Sequence, residues 1–124
     1  MTLAEAMGRA NDALAKHIDY YDVAPHEAVW MKHGAMVALD EVRAKLEGAA
    51  HLSETEMKDL FKQAQYFGEL KGIEYQERLE VIRDSGEYES KYEEMMEQIS
   101  SIPWIFENGA RVALGELECA LRKG

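Results

Sequence analysis

Two stretches of this chain, HGAMVALDEVRAKL at His33–Leu46 and NGARVALGELECAL at Asn108–Leu121, resemble each other closely. Aligned without gaps, they are identical at seven positions. The identical pairs are Gly34/Gly109, Ala35/Ala110, Val37/Val112, Ala38/Ala113, Leu39/Leu114, Glu41/Glu116 and Leu46/Leu121. Each stretch follows a proline, Pro25 or Pro103, and has apolar residues at helical spacing. The sequence therefore predicts one amphipathic helix that occurs twice, with the rest of the fold arranged around the two copies.

The composition favours an all-α single domain covering residues 1–124. Helix-forming residues dominate the 124 positions, and no segment alternates apolar and polar residues as a strand would. A single cysteine, Cys119, rules out an internal disulfide and fits a reducing compartment. No apolar run is long enough to cross a bilayer, and the acidic start at Met1 does not resemble a signal peptide. We therefore expect a cytoplasmic protein without membrane contact.

The charge of the chain restricts its partners. It has 14 basic and 24 acidic residues, which gives a net charge of −10. A surface this acidic repels phosphate backbones, so direct nucleic-acid binding is not expected. It attracts basic protein surfaces, including the clefts in which other proteins hold nucleic acid. The alternative is that the charge serves solubility alone.

Two capping boxes and two prolines predict where the helices begin. Thr2 with Glu5 and Ser53 with Glu56 have the spacing at which a hydroxyl and a carboxylate satisfy the first backbone N–H groups. Pro25 suits the first turn of a second helix, which we expect to end near Glu47, before a short linker at Ala49–Leu52. A fourth helix is predicted over Glu87–Ser100 and a fifth from about Pro103.

The predicted architecture is a bundle of about five helices with a possible internal duplication. A helix, a proline and a glycine-containing helix occur at residues 3–47 and again at 87–122. A long third helix over residues 53–84 would join these two units. Chance similarity between two alanine-rich helices is the alternative explanation. A break at Gly68 and Gly72, which would divide the third helix, is also open.

The predicted third helix has apolar residues on two faces. Its main stripe runs from Met57 to Ile82, and a second row is formed by Tyr66, Leu70 and Ile73. A helix that is apolar on two faces is either enclosed by the fold or pairs with another chain. The second row is therefore a candidate face for a homodimer.

A concentration of acids and tyrosines is the candidate partner-binding site. The segment from Glu69 to Glu97 contains ten acidic and four basic residues, which gives it a net charge of −6. We expect the turn at Ser85–Gly86 to bring the third and fourth helices together, so that these side chains form one acidic ridge. The predicted contact residues are Glu74, Glu77, Glu80, Asp84, Glu87, Tyr88, Glu89, Tyr92, Glu93, Glu94 and Glu97. A solvated helical hairpin without a partner is the alternative.

Patterns that would indicate an enzyme are incomplete. Glu41 and Glu116 resemble the paired glutamates of di-iron bundles, but Ala44 and Cys119 stand where the ligand histidines belong. Glu94-x-x-Glu97 resembles half of the Mg²⁺ motif of all-α nucleotide pyrophosphohydrolases, and the second half is missing. Cys119 is expected to be a small core residue. No catalytic residue, metal ligand or cofactor is predicted.

These observations favour a non-enzymatic interaction protein that binds a partner protein with a basic surface. One specific form is an inhibitor that occupies a nucleic-acid-binding cleft, as small acidic proteins of phages and mobile elements do. The chain is similar to such proteins in size, charge and helical simplicity, and the similarity covers no motif. The alternative function is that of a Mg²⁺-dependent all-α nucleotide hydrolase.

Overall fold

The computed structural model describes residues 1–48 and 52–123, and in these residues it has five α-helices and no strand. The helices are α1 (Leu3–Tyr20), α2 (Pro25–Glu47), α3 (Glu54–Ser85), α4 (Glu93–Glu97) and α5 (Ile102–Lys123), and Ser90–Tyr92 and Ile99–Ser101 form 3₁₀ turns. The predicted all-α bundle with a long third helix is confirmed. The predicted linker lies outside the described residues except for Leu52.

The helix starts follow the predicted local signals. The Thr2 hydroxyl accepts a hydrogen bond from the Glu5 backbone N–H at 3.1 Å, and the Ser53 hydroxyl accepts one from the Glu56 N–H at 3.1 Å. Pro25 occupies the first turn of α2. The Thr2 hydroxyl also donates a hydrogen bond to the Glu5 carboxylate at 3.0 Å. This bond is the main cause that lowers the pKa of the Glu5 carboxyl below its usual 4.5. Each capping box therefore holds its helix start with side chains only three residues apart.

The centre of the bundle is a reciprocal contact between α2 and α5. A Cβ atom added at Gly34 would overlap the backbone of Phe106, and one added at Gly109 would overlap the backbone of Met31. Met31 and Phe106 stand two residues before the two similar stretches and align with each other when the alignment is extended, just as Gly34 aligns with Gly109. The glycine of each helix thus contacts the backbone of the other helix at the equivalent residue. Only a residue without a side chain permits this separation of the two backbones.

α3 packs against this pair through glycines of its own and continues through them without a break. A Cβ atom at Gly72 would lie 2.7 Å from the Pro103 Cα atom, and one at Gly68 would lie 3.1 Å from the Ala110 Cβ atom. Two glycines inside a helix cost up to about 1 kcal/mol each relative to alanine. The close packing of α3 on α2 and α5 offsets that cost.

The predicted stripes of α2 and α5 are mostly buried, whereas the α3 stripe is buried in its middle, from Phe61 to Gly72, and is 41% exposed at its end, Ile82. The inner residues of α2 and α5 lie in one hydrophobic cluster with residues of α1 and α3. The largest side chains that are fully enclosed are Trp30, Phe106, Ile99, Ile102, Leu117 and Val42. α1 packs mainly on α5, and α3 packs on both α5 and α2. This one shared core holds the described helices together.

The predicted extent of the fourth helix, Glu87–Ser100, is wrong. Residues 87–100 contain a 3₁₀ turn, the five-residue α4 and the start of a second 3₁₀ turn instead of one continuous helix. Neither 3₁₀ turn nor α4 has a side-chain cap. Met96 on α4, Ile99 in the second 3₁₀ turn and Ile102 at the start of α5 are all buried. These three side chains attach the short pieces to the hydrophobic core.

Candidate interaction surface

The acids that the sequence assigns to α3 lie on its outer side. At about 3.6 residues per turn, Glu77 and Asp84 fall in line with Tyr66 and Ile73, opposite the stripe that faces the core. Glu74, Glu77 and Asp84 are exposed. Glu80 is half-buried and accepts a hydrogen bond from the Gln76 amide at 2.7 Å. These side chains can meet a partner only from the outside of the bundle.

The remaining predicted acids lie on the segment that follows α3. Gly86 has a φ of 70°, a left-handed conformation that ends α3 and turns the chain back alongside it. Glu87 and Glu89 then lie at the rim of a groove between this segment and α3. Glu93, Glu94 and Glu97 are exposed on α4. The structure thus distributes the predicted acids over two sides of the end of α3.

An open apolar groove lies between the end of α3 and residues 87–96. It has a volume of about 550 Å³, and its apolar lining is formed by Leu79, Ile82, Tyr88, Tyr92, Met95 and Met96. Both tyrosines belong to the predicted contact residues, whereas the part played by the leucine, the isoleucine and the two methionines was not predicted. The available signal was that these apolar residues stand on both sides of the short turn at Ser85–Gly86.

A lysine of the chain itself, Lys91, contacts two residues that line this groove. The Lys91 Nζ atom lies 3.2 Å from the Glu89 Oε2 atom and 5.1 Å from the centre of the Tyr92 ring. A carboxylate and an aromatic face both attract an ammonium group. Because both side chains of the ion pair are exposed, the contact adds little to folding stability. Two residues that line the groove, Glu89 and Tyr92, therefore lie beside a cation of the chain itself.

The candidate dimer face is exposed in the single chain. Tyr66, Leu70 and Ile73 all lie on the solvent side of α3, and Phe67 beside them has the Lys71 Nζ atom 5.5 Å from its ring centre. No helix in residues 1–48 and 52–123 is both long enough and apolar enough to cross a membrane. The homodimer stays a prediction.

The two tryptophans near the starts of the similar helices have opposite environments. Trp30 is 2% exposed, and its ring lies 5.1 Å from the ring of His26, whereas Trp104 is 64% exposed. Cys119 is also exposed, so its predicted place in the core is wrong. The residue it aligns with, Ala44, is exposed as well, since both lie on the outer sides of their helices.

The carboxylates considered for metal binding do not converge in the described part of the chain. Residues 1–48 and 52–123 contain no group of three or more His, Cys, Asp or Glu side chains that could hold a metal ion. Glu41 and Glu116 are half-buried, and Glu94 and Glu97 are exposed on α4. His26 is hydrogen-bonded to the Gln98 side chain at 2.5 Å. The hydrolase function stays a prediction.

Comparison with known proteins identifies no relative of this chain. None of the known protein families, curated proteins or solved structures was found to match this chain. The groove and the charges around it are therefore the basis for the function proposed below.

Proposed function

We propose that this protein binds a partner protein with a basic surface through its acidic end, by which we mean residues 74–97. The observation that carries the proposal is the open apolar groove with Glu87 and Glu89 at its rim. Carboxylates on the surface steer a basic partner toward this end over a long range. The apolar groove then offers a contact from which water can be expelled, as in the centres of protein interfaces.

The charges of the acidic end support the proposal because most have no ion-pair partner among residues 1–48 and 52–123. In the described residues, Glu74, Asp84 and Glu89 each lie near one cation, and these ion pairs are exposed and weak. Other acids of this end have no ion pair among the described residues, namely Glu77, Glu80, Glu87, Glu93, Glu94 and Glu97. An electrostatic field of one sign therefore extends from this end.

One specific form of the proposal is an inhibitor of nucleic-acid binding. Carboxylates spaced along the acidic end would take the places that phosphates occupy in the basic cleft of the partner. Binding of this protein and of nucleic acid would then be mutually exclusive. Adding the protein to a complex of its partner with nucleic acid should release the nucleic acid in proportion to the concentration added. Simultaneous binding of both would contradict this form and leave the broader proposal intact.

The test of the broader proposal compares two triple variants with equal charge. The first carries Glu87→Gln, Glu89→Gln and Glu94→Gln at the acidic end. The second carries Asp12→Asn, Glu47→Gln and Asp59→Asn, which are exposed positions on α1, at the end of α2 and near the start of α3. Protein captured from a lysate of the source organism is identified and purified, and its affinity for each variant is measured by calorimetry.

We expect a basic partner whose affinity falls about tenfold for the first triple variant and less than about twofold for the second. We also expect the affinity to fall steeply between about 50 mM and about 300 mM salt, because salt screens exposed charges. Equal losses for the two variants, an affinity that does not depend on salt, or no specific capture would each contradict the proposal.

A further inference from the structure

We propose that the groove binds an amphipathic helix of the partner, with large apolar side chains in the groove and a lysine or arginine between Glu89 and Tyr92. This inference rests on the proposed function and specifies the chemistry of the partner. The proposed function requires a basic surface that meets the groove, and this inference adds that one helix of the partner supplies both the apolar and the basic side chains.

The floor of the groove explains why the partner must supply apolar side chains. Leu79, Ile82, Met95 and Met96 line it together with the two tyrosine rings. Met96 is buried and Met95 is half-buried, and both pack against the hydrophobic core, so this part of the floor belongs to the packed structure. Methionine side chains adapt to differently shaped apolar groups. Such a floor is completed by a leucine, isoleucine, methionine or phenylalanine side chain.

Lys91 indicates that the charged group the partner places beside the groove floor is a cation. Its ammonium group already lies at the Glu89 carboxylate and near the Tyr92 ring, the two features that a cation of the partner would use. Glu87 lies at the rim as a second acid. An exposed ion pair with little net stability is readily exchanged for one with a partner. Lys91 thus acts as an internal competitor that the cation of the partner displaces.

The secondary structure around the groove favours a helix over an extended segment. The groove walls are α3 and the short helical pieces of residues 88–96, and residues 1–48 and 52–123 contain no strand. An extended segment gains affinity mainly by pairing its backbone with the edge of a sheet, which is not offered here. A helix keeps its backbone hydrogen bonds and presents side chains alone. It brings apolar residues to one face and basic residues to its flanks.

The experiment uses two synthetic peptides of about four helical turns that contain only leucine and lysine in equal proportions. In the first peptide the leucines recur at helical spacing and form one apolar face. In the second the same residues are rearranged so that no apolar face forms. Both carry a fluorescent label, and their binding to the full chain is followed by fluorescence anisotropy. We expect the amphipathic peptide to bind at least about tenfold more tightly.

A matched pair of substitutions locates the binding site. Ile82→Lys and Val81→Lys add the same charge at adjacent residues of α3. Ile82 lines the groove and is 41% exposed, whereas Val81 does not line it and is 71% exposed. Neither residue belongs to the buried core cluster, so both variants should fold, which circular dichroism checks. We expect Ile82→Lys to weaken binding of the amphipathic peptide about tenfold more than Val81→Lys.

A second matched pair tests the role of Lys91. Lys91→Gln and Lys71→Gln each remove one positive charge from an exposed ion pair. We expect Lys91→Gln to strengthen binding of the amphipathic peptide about threefold more than Lys71→Gln, since only Lys91 occupies the cation position at the groove. Equal effects of the two variants would overturn the assignment of that position.

The outcomes separate failure of this inference from failure of the proposed function. Equal binding of the two peptides, together with equal losses for Ile82→Lys and Val81→Lys, would overturn the groove as a helix site. The acidic end could still attract basic proteins in that case. Binding of the amphipathic peptide that is unaffected by the triple substitution of Glu87, Glu89 and Glu94 would contradict the proposed function itself.

Discussion

The segment that leads into α2 is one continuous helix, whereas the segment that leads into α5 consists of short pieces. α1 extends over 18 residues from a capping box and buries four of its residues. Residues 87–101 form two 3₁₀ turns and the five-residue α4 without any side-chain cap. The helices that follow are nevertheless alike in sequence and meet in the reciprocal contact of Gly34 and Gly109.

This difference shows that α2 and α5 can meet in the same central contact although the segments before them differ in structure. These two segments, residues 3–20 and 87–101, are called the flanks below. α1 packs along α5 and covers it, whereas the pieces between Glu87 and Ser101 contact α3 only in part. The uncovered space beside them is the groove, with its exposed rim of acids. The central contact thus serves the fold, and the irregular flank offers the surface proposed to bind a partner.

The largest change in stability that tests the difference between the starts of α2 and α5 is expected at their tryptophans. Trp30→Ala should lower the free energy of unfolding by about 3–5 kcal/mol, because it empties a fully enclosed site. Trp104→Ala should change it by less than about 0.5 kcal/mol, since the side chain is exposed. Urea unfolding followed by circular dichroism measures both without relying on tryptophan fluorescence. Similar losses would show that the two helix starts are equally buried.

The next effect concerns the two central glycines. Gly34→Ala and Gly109→Ala should each cost about 3 kcal/mol, because the added methyl group overlaps backbone that no rotamer change can move. If the contact is reciprocal, the two losses should agree within about 0.5 kcal/mol. Thermal and urea unfolding of both variants provide the measurement.

Gly115→Ala is the matched control in α5. A Cβ atom at this position meets nothing within 4 Å, so only the better helix propensity of alanine acts. The variant should be more stable than the original chain by up to about 1 kcal/mol. A loss at Gly115 as large as the loss at Gly109 would mean that helix propensity, and not the close contact, explains the glycines.

The smallest effect distinguishes the capped flank from the uncapped one. Thr2→Ala should lower the free energy of unfolding by about 0.5–1 kcal/mol, because it removes the cap of α1. Ser90→Ala is the control in the other flank, where no side-chain cap forms, and should leave stability unchanged within error. Equal losses would contradict the difference between the two flanks.

The effect of Thr2→Ala should also depend on pH. The lowered pKa of Glu5 in the folded chain means that this carboxylate favours folding at pH values above 4.5, its usual pKa. That contribution is lost as the pH falls below 4.5 and through the lowered pKa. The stability difference between Thr2→Ala and the original chain should therefore shrink in acid, which unfolding curves at several pH values would reveal.

The candidate site was predicted only in part. The concentration of acids and the two tyrosines are visible in the sequence, and so is the turn that follows α3. Their distribution over two sides of α3 is not, because it depends on residues 87–100 forming short pieces instead of one helix. The groove floor was missed for the same reason. Met95 and Met96 lie on the short α4, inside the range where one continuous helix was predicted, and the structure opens a cavity beside them.

The sequence by itself determined the helix class, the starts of α1, α2 and α3, and the inner stripes of α2 and α5. These features depend on side chains within one or two turns of each other, such as Ser53 and Glu56 in a capping box. The tertiary structure decided that Trp30 is enclosed and Trp104 is not, that Cys119 is exposed, and that Gly34 and Gly109 meet each other's helix. Burial is a property of the space between elements, so a residue's own neighbours in sequence cannot specify it.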